Sequence, residues 1–330
     1  IGVYQIFHAS INLVTYVLYR KNKIRPRFRL LLDGLVLVFL GGTSLLSSTG
    51  NSVFQLFVLG AYFFLYGVSN IRDGFLFEEE IGKNHLKRRI RISLPIVLAA
   101  LIPARTLAKV NKFMLENADE EEDIHLGMVK SGKTAELEIF VHTAETSLFS
   151  AIGHVDICYQ GRVISYGNYD PSSETLFGMV GDGVLYFCDR DKYIDLCKRE
   201  SQKTLFGYGI DLTPEMEKAV QKKLAELKQL TIPWEPSADK IMTGDGKEDY
   251  TYAYKIRHET DGELYKFIKS KFKSYFVLST NCVLLADTIV GQAGTDILSP
   301  KGFIAPGTYQ AYLNREFEKP NSIVVSKHVY

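Results

Sequence analysis

From Leu30 to Leu46 the chain runs through Leu, Val and Phe with one charged side chain, Asp33, near its start. A stretch this apolar needs either a protein core or a bilayer around it. Three more segments share the character. Ile1–Tyr19 is apolar apart from short polar side chains and His8, Val53–Val68 holds no charge, and Ile92–Pro103 is strongly apolar, with a helical pattern that runs on to Phe113. A bilayer span takes roughly 20 residues, which the first three meet or approach. The fourth is shorter, with Arg105 and Lys109 placed to snorkel. The pattern predicts an α-helical transmembrane bundle of about four helices over residues 1–112. The competing reading is a set of buried helices in a soluble protein.

The connections favour the bilayer. Arg20 to Arg29 contains six basic residues and no acid, and Ile71 to Arg91 contains six more, with Arg88, Arg89 and Arg91 just before the fourth segment. Ser47 to Ser52 has no charge. Basic loops stay cytoplasmic, so the 47–52 loop is expected outside. The protein is expected to be multi-pass, and the favoured expectation is that the fourth segment crosses and leaves the rest of the chain extracytoplasmic. If it lies along the interface, the rest is cytoplasmic. Because the chain opens on Ile1, trimming upstream is also expected.

Charge divides the same way. Residues 1–112 carry 15 Lys and Arg against 5 Asp and Glu, while residues 113–330 carry 24 against 33, so a net +1 conceals +10 and −9. An acidic linker is expected over 113–134, centred on Glu116–Asp123, and a second domain over 135–330.

The linker ends in a string, Gly127 to Gly132-Lys133-Thr134, that satisfies the phosphate-binding P-loop pattern. That motif needs a strand before it and a helix after it, whose first amides hold the phosphate. Here an acidic run precedes the string and a β-rich stretch, Glu136–His142, follows. No nucleotide is expected. No metal or other cofactor is expected either. Cys158, Cys188, Cys197 and Cys282 form no CxxC pair, and no Cys/His spacing suits zinc. A region of net −9 without clustered basic residues argues against nucleic acid.

Two stretches carry chemistry. Gly153 to Gly167 reads as two strands around a turn at Gln160-Gly161. Strand alternation then puts His154, Asp156 and Cys158 on one face and Val155 and Ile157 on the other. With a two-residue loop, Asp156 lies opposite Ser165, and His154 is its diagonal neighbour, so either polar group can orient the imidazole. Later, Tyr275 to Gly291 reads as a short β entry, an N-cap at Thr280 or Asn281, and an apolar helix with Cys282 in its first turn. Unpaired amides and the helix dipole there favour a thiolate and can hold an oxyanion. A neighbouring imidazole would complete an activated nucleophile. Taken singly, Cys282 reads as a small core residue and His154 as a structural histidine.

The order His on a hairpin, then Cys opening a helix, resembles the circularly permuted papain-like superfamily, which includes lecithin:retinol acyltransferase-like and NlpC-type enzymes. Gly153-His154 is similar to its general-base strand, Val163 to Gly167 to the following strand that supplies a third polar residue, and Asn281-Cys282 to its nucleophile signature. The segment from Leu298 through Pro306 and Tyr309 to Leu313 is similar to a bacterial membrane-associated branch, some members of which N-acylate lipoproteins. The resemblance spans roughly residues 135–315 and implies an α+β permuted papain-like domain. It implies Cys282, His154 and Ser165 as catalytic residues, with Asn281, Gly153, Asp156 and Tyr166 in oxyanion or positioning roles. Several lipid-acting relatives have a second His where this chain has Ser165, so His142 and Asp156 also stand as candidates for the third residue.

Between the two stretches, Gly183–Cys188 reads as a strand, Thr213-Pro214 opens a helix to Leu230, and Lys240–Lys247 reads as a loop. Tyr250–Ile256 reads as a strand and Glu263–Phe272 as a helix. The leading functional expectation is acyl transfer on a membrane lipid or lipoprotein through a Cys–His acyl-enzyme, with a membrane protein partner as a further possibility. The alternatives are a cell-wall peptide or amide hydrolase with the same pair, and an inactive papain-like binding or assembly module.

Overall fold

The computed structural model describes residues 2–25, 27–46, 56–57, 60, 64, 128–129, 135–142, 153–201, 204–242, 246, 248–293, 306–319 and 322–330. The chain divides into two compact units, Ile1–His85 and Leu86–Tyr330. The expected boundary near residue 112 and the acidic run at 116–123 lie outside the described residues.

In the first unit, α1 (Gly2–Lys21) and α2 (Phe28–Leu46) pack against each other, burying Ala9 and Ile11 of one and Leu37 of the other. Among the described residues only α2 is long and apolar enough to cross a membrane, and just 17% of its apolar stretch is buried. In α1, Gln5, His8, Ser10, Asn12 and Thr15 dilute the apolar character below that standard. The expected bundle of about four transmembrane helices is therefore corrected to a helix pair with one membrane-capable member. Of the third apolar segment only Leu56, Phe57, Gly60 and Phe64 are described, as helix, and the fourth lies outside the described residues.

The second unit, expected to be an α+β permuted papain-like domain, is built on one large antiparallel sheet. Among the described residues nine strands pair in the order β1-β13-β7-β2-β3-β4-β6-β11-β8, every pairing antiparallel. They are β1 (Met128–Val129), β2 (Leu137–His142), β3 (His154–Tyr159), β4 (Arg162–Gly167), β6 (Val184–Asp189), β7 (Leu205–Ile210), β8 (Thr231–Pro233), β11 (Glu263–Phe267) and β13 (Val324–Val329). Two ribbons stand apart: β5 (Val180–Asp182) with β12 (Ser274–Phe276), and β9 (Lys240–Met242) with β10 (Glu248–Tyr250). The helices are α3 (Arg190–Ser201), α4 (Pro214–Lys228), α5 (Tyr252–Glu259), α6 (Cys282–Val290) and α7 (Pro306–Glu318).

Alternation along the central strands feeds two cores. Ile139, Val155, Ile157, Ile164 and Tyr208 pack with Met216 and Val220 of α4 and Leu285 and Ile289 of α6. Phe140, Cys158, Val163 and Tyr186 pack with Tyr193 and Leu196 of α3 and Ile256 of α5. Three elements depart from the sequence reading. Leu264 and Phe267 are three apart, which looks like a helical stripe. In β11 they fall on opposite faces, one in each core. Tyr252–Glu259 is a helix rather than a strand, because the Thr251 side chain accepts the Tyr254 amide at its N-terminus and Ala253 and Ile256 bury on one side. The expected loop at 240–247 is bounded by the β9–β10 ribbon.

The phosphate-like string starts in β1, and the first element after it is the strand β2, where a P-loop requires a helix. Lys130 to Thr134 lie outside the described residues.

Candidate active site

The β3–β4 hairpin turns on Gln160 and Gly161, both with positive φ (50° and 73°), which is the two-residue turn that matches strand twist. Tyr159 pairs with Arg162 and Ile157 with Ile164, which fixes the register that sets Asp156 beside Ser165. On the other side of β3, His142 of β2 pairs directly with His154.

Three side chains converge on the His154 ring. Its Nε2 lies 2.9 Å from Ser165 Oγ, 3.0 Å from Tyr169 Oη and 2.8 Å from Asp156 Oδ1. Both hydroxyls are within hydrogen-bond distance of Nε2, and Asp156 Oδ1 is its charge partner. Ser165 Oγ and Tyr169 Oη are themselves 2.9 Å apart. The other oxygen of Asp156 accepts from His142 Nε2 at 2.7 Å and from Tyr193 Oη at 2.5 Å. Asp156 is thus a fully buried carboxylate shared by two imidazoles and a phenol, while a quarter of the His154 side chain remains exposed.

Electrostatics follow from this geometry. Burial penalises the carboxylate, but the His154 and His142 rings outweigh it and hold Asp156 well below the usual carboxylate range. Burial also penalises a charged His154. The charges of Asp156 and then of the Cys282 sulfur outweigh that and raise the imidazole well above its ordinary value. Burial keeps the Tyr169 and Tyr193 phenols neutral.

Cys282 is the first residue of α6, which packs on β3 and β4. Asn281 is its N-cap: Oδ1 accepts the Leu284 amide at 3.1 Å and Nδ2 donates to the Val277 carbonyl at 3.0 Å. That clamp fixes the turn bridged from Phe276 to Thr280 and so fixes where the sulfur stands. Cys158 is pushed up to about 12 by burial, and Cys188 is raised further by the same cause.

The structure brings Cys282, His154, Ser165 and Asp156 together, with Asn281 clamping the nucleophile's turn and Gly153 (φ 76°) at the entry to β3. Tyr166 is elsewhere: its hydroxyl donates to the Phe272 carbonyl at 2.9 Å, and its ring packs among Phe267, Phe272 and Tyr275. Tyr169 and Tyr193 had no place in the sequence reading. Tyr169 was reachable by carrying the alternation from Ser165 through Gly167. A Cβ at Gly167 would meet the Tyr169 ring at 2.6 Å, so glycine is what lets that ring fold back over the strand. Tyr193 sits on α3, 37 residues from Asp156, and no local pattern links them. Among the described residues no group of His, Cys, Asp and Glu is arranged to hold a metal ion.

No family model matches the chain, and neither a curated protein nor a solved structure shows significant similarity to it.

Proposed function

We propose that the sheet domain performs cysteine-based acyl transfer, with a lipid or lipid-anchored molecule as acyl donor. The observation that carries the reading is an imidazole whose charged form is favoured by a buried carboxylate and by the sulfur of Cys282, the residue that opens a helix.

The Cys282 sulfur, its proton held by His154, attacks the ester or amide carbonyl. The first-turn amides of Cys282 and Val283, which have no acceptor within the helix, stabilise the oxyanion. His154 then gives its proton to the leaving alcohol or amine as the C–O or C–N bond breaks, and a thioester remains. An amine, hydroxyl or water, deprotonated by His154, attacks the thioester and restores the thiol. Asp156, held by His142 and Tyr193, keeps the ring oriented and stabilises it in the steps where it carries the proton.

The apolar helix α2 supports a substrate at a bilayer. The likeness of Gly153-His154 and Asn281-Cys282 to papain-like cysteine enzymes supports the same chemistry. Incubation with radiolabelled phospholipid vesicles is expected to give a hydroxylamine-sensitive adduct on the parent and none on Cys282→Ala. An adduct that persists in the variant overturns the assignment.

A further inference from the structure

One surface feature is built onto the nucleophile's own turn. Thr175 and Val180 bridge to close a tight loop whose tip is Leu176 and Phe177. Leu176, Phe177 and Gly178 all have positive φ (50°, 58° and 80°), a conformation that Leu and Phe side chains disfavour. The conformation holds two large apolar groups in solvent. Phe177 is 91% exposed, more than any other large apolar side chain described in this unit, and Leu176 is 49% exposed. Burying them inward would relieve both costs, so their outward position calls for an external apolar partner.

The loop leads directly to the site. Val180 pairs with Phe276, and the Val277 amide donates to the Met179 carbonyl at 3.0 Å. The Val277 carbonyl in turn accepts from Asn281, the cap of the nucleophile helix, at 3.0 Å. The other end of the same ribbon is basic. Residues 264–286 hold four lysines and no acid, inside a region of net −9. Lys266 is spent on Asp170 and Asp182. Lys269 and Lys273 have no ion-pair partner among the described residues, and the 41% exposed Ile268 adjoins them.

We propose that this ribbon docks the sheet domain on an anionic lipid bilayer, with Phe177 and Leu176 entering the acyl layer and Lys269 and Lys273 on the headgroups. An apolar tip with cations farther along the same ribbon is the pattern of an interfacial anchor, and unpaired lysines there select negatively charged lipid. Docking here presents the Cys282 turn to the ester level of the bilayer. The inference rests on the lipid-directed reading above, and the experiment separates the two.

Trp234 is the single tryptophan. The full chain carrying Trp234→Phe and Phe177→Trp is reconstituted in phosphatidylcholine–phosphatidylglycerol vesicles, roughly 7:3, with part of the lipid brominated high on the acyl chains. The expected result is a blue-shifted emission that loses about half its intensity to bromine, the depth an interfacial side chain reaches. A tryptophan placed instead at Ile241, on the β9–β10 ribbon, stays unquenched. Lys269→Glu with Lys273→Glu, or pure phosphatidylcholine, weakens the quenching. Repeating the measurement with Cys282→Ala separates insertion from chemistry, because quenching is expected unchanged while the acyl adduct is lost. Phe177→Asp is expected to lower adduct formation from vesicles by about tenfold while leaving reaction with a short soluble thioester unchanged. Absent quenching at Phe177→Trp, or quenching equal to that at Ile241→Trp, overturns the docking proposal whatever the activity. Emission that shifts only with protein concentration assigns the tip to a second copy of the chain and likewise overturns it.

Discussion

The two faces of β3 share one backbone, yet they are stabilised differently. Val155 and Ile157 lie against α6 in an apolar core, while His154 and Asp156 lie among phenols, a hydroxyl and a second imidazole. On the apolar face any well-shaped hydrophobe does the work. On the polar face, burial is unfavourable unless every partner is present, so that face tolerates little change and is where chemistry belongs. Mutations should therefore separate the faces, one affecting stability and the other rate.

The largest effect is expected at the nucleophile. Cys282→Ala and His154→Ala should each lower acyl transfer by at least about 10³-fold, with melting temperatures close to the parent's. Calorimetry showing either one unfolded would erase the contrast between faces.

Asp156 should affect both quantities. Asp156→Ala leaves two imidazoles and a phenol without their buried anion and is expected to cost about 3–5 kcal/mol in urea denaturation. Asp156→Asn keeps the shape and removes the charge that raises His154. The alkaline limb of the activity profile should then move to lower pH. The parent's stability should show two limbs of opposite sign. Asp156, held low, contributes above about pH 4, and that contribution is lost as pH falls through its lowered value. His154, held high, contributes fully below about pH 6.5, and that contribution is lost as pH rises through its raised value. A flat alkaline limb in Asp156→Asn relative to the parent would break the link between carboxylate and imidazole.

On the apolar face, Ile157→Ala should cost about 2–4 kcal/mol by cavity formation and leave turnover per folded molecule unchanged. A rate loss of tenfold at matched folded fraction would show that the faces are not independent. The smallest effect is expected at Ser165→Ala. Tyr169 Oη also faces His154 Nε2, so a loss of only a few-fold in rate, about 1 kcal/mol, is expected, becoming larger in the double variant with Tyr169→Phe.

The sequence made parts of this arrangement legible. A two-residue turn at Gln160-Gly161 fixes register, and period-2 alternation then assigns faces, so the relation of His154, Asp156 and Ser165 could be read directly. The Thr213-Pro214 start of α4 and the Asn281 cap of α6 were equally local. The reading failed where partners are distant. Leu264 and Phe267 take their meaning from cores on opposite faces of the sheet, and Tyr193 reaches Asp156 only because α3 crosses behind β3. Apolar runs were over-read as well. Composition alone counted four spans, whereas the polar side chains of α1 leave α2 as the described helix that qualifies.

The place of β13 has a consequence for how the molecule comes to exist. It lies between β1 and β7, pairing Ser326 with Val129 on one side and Gly209 on the other. Local hairpins such as β3–β4 form within microseconds, but a strand recruited from more than a hundred residues beyond β7 waits on a slow chain search. β7, the neighbour of β2, therefore has one open edge until residues 324–329 leave the ribosome. For that interval the nascent chain presents an unprotected edge to any passing strand.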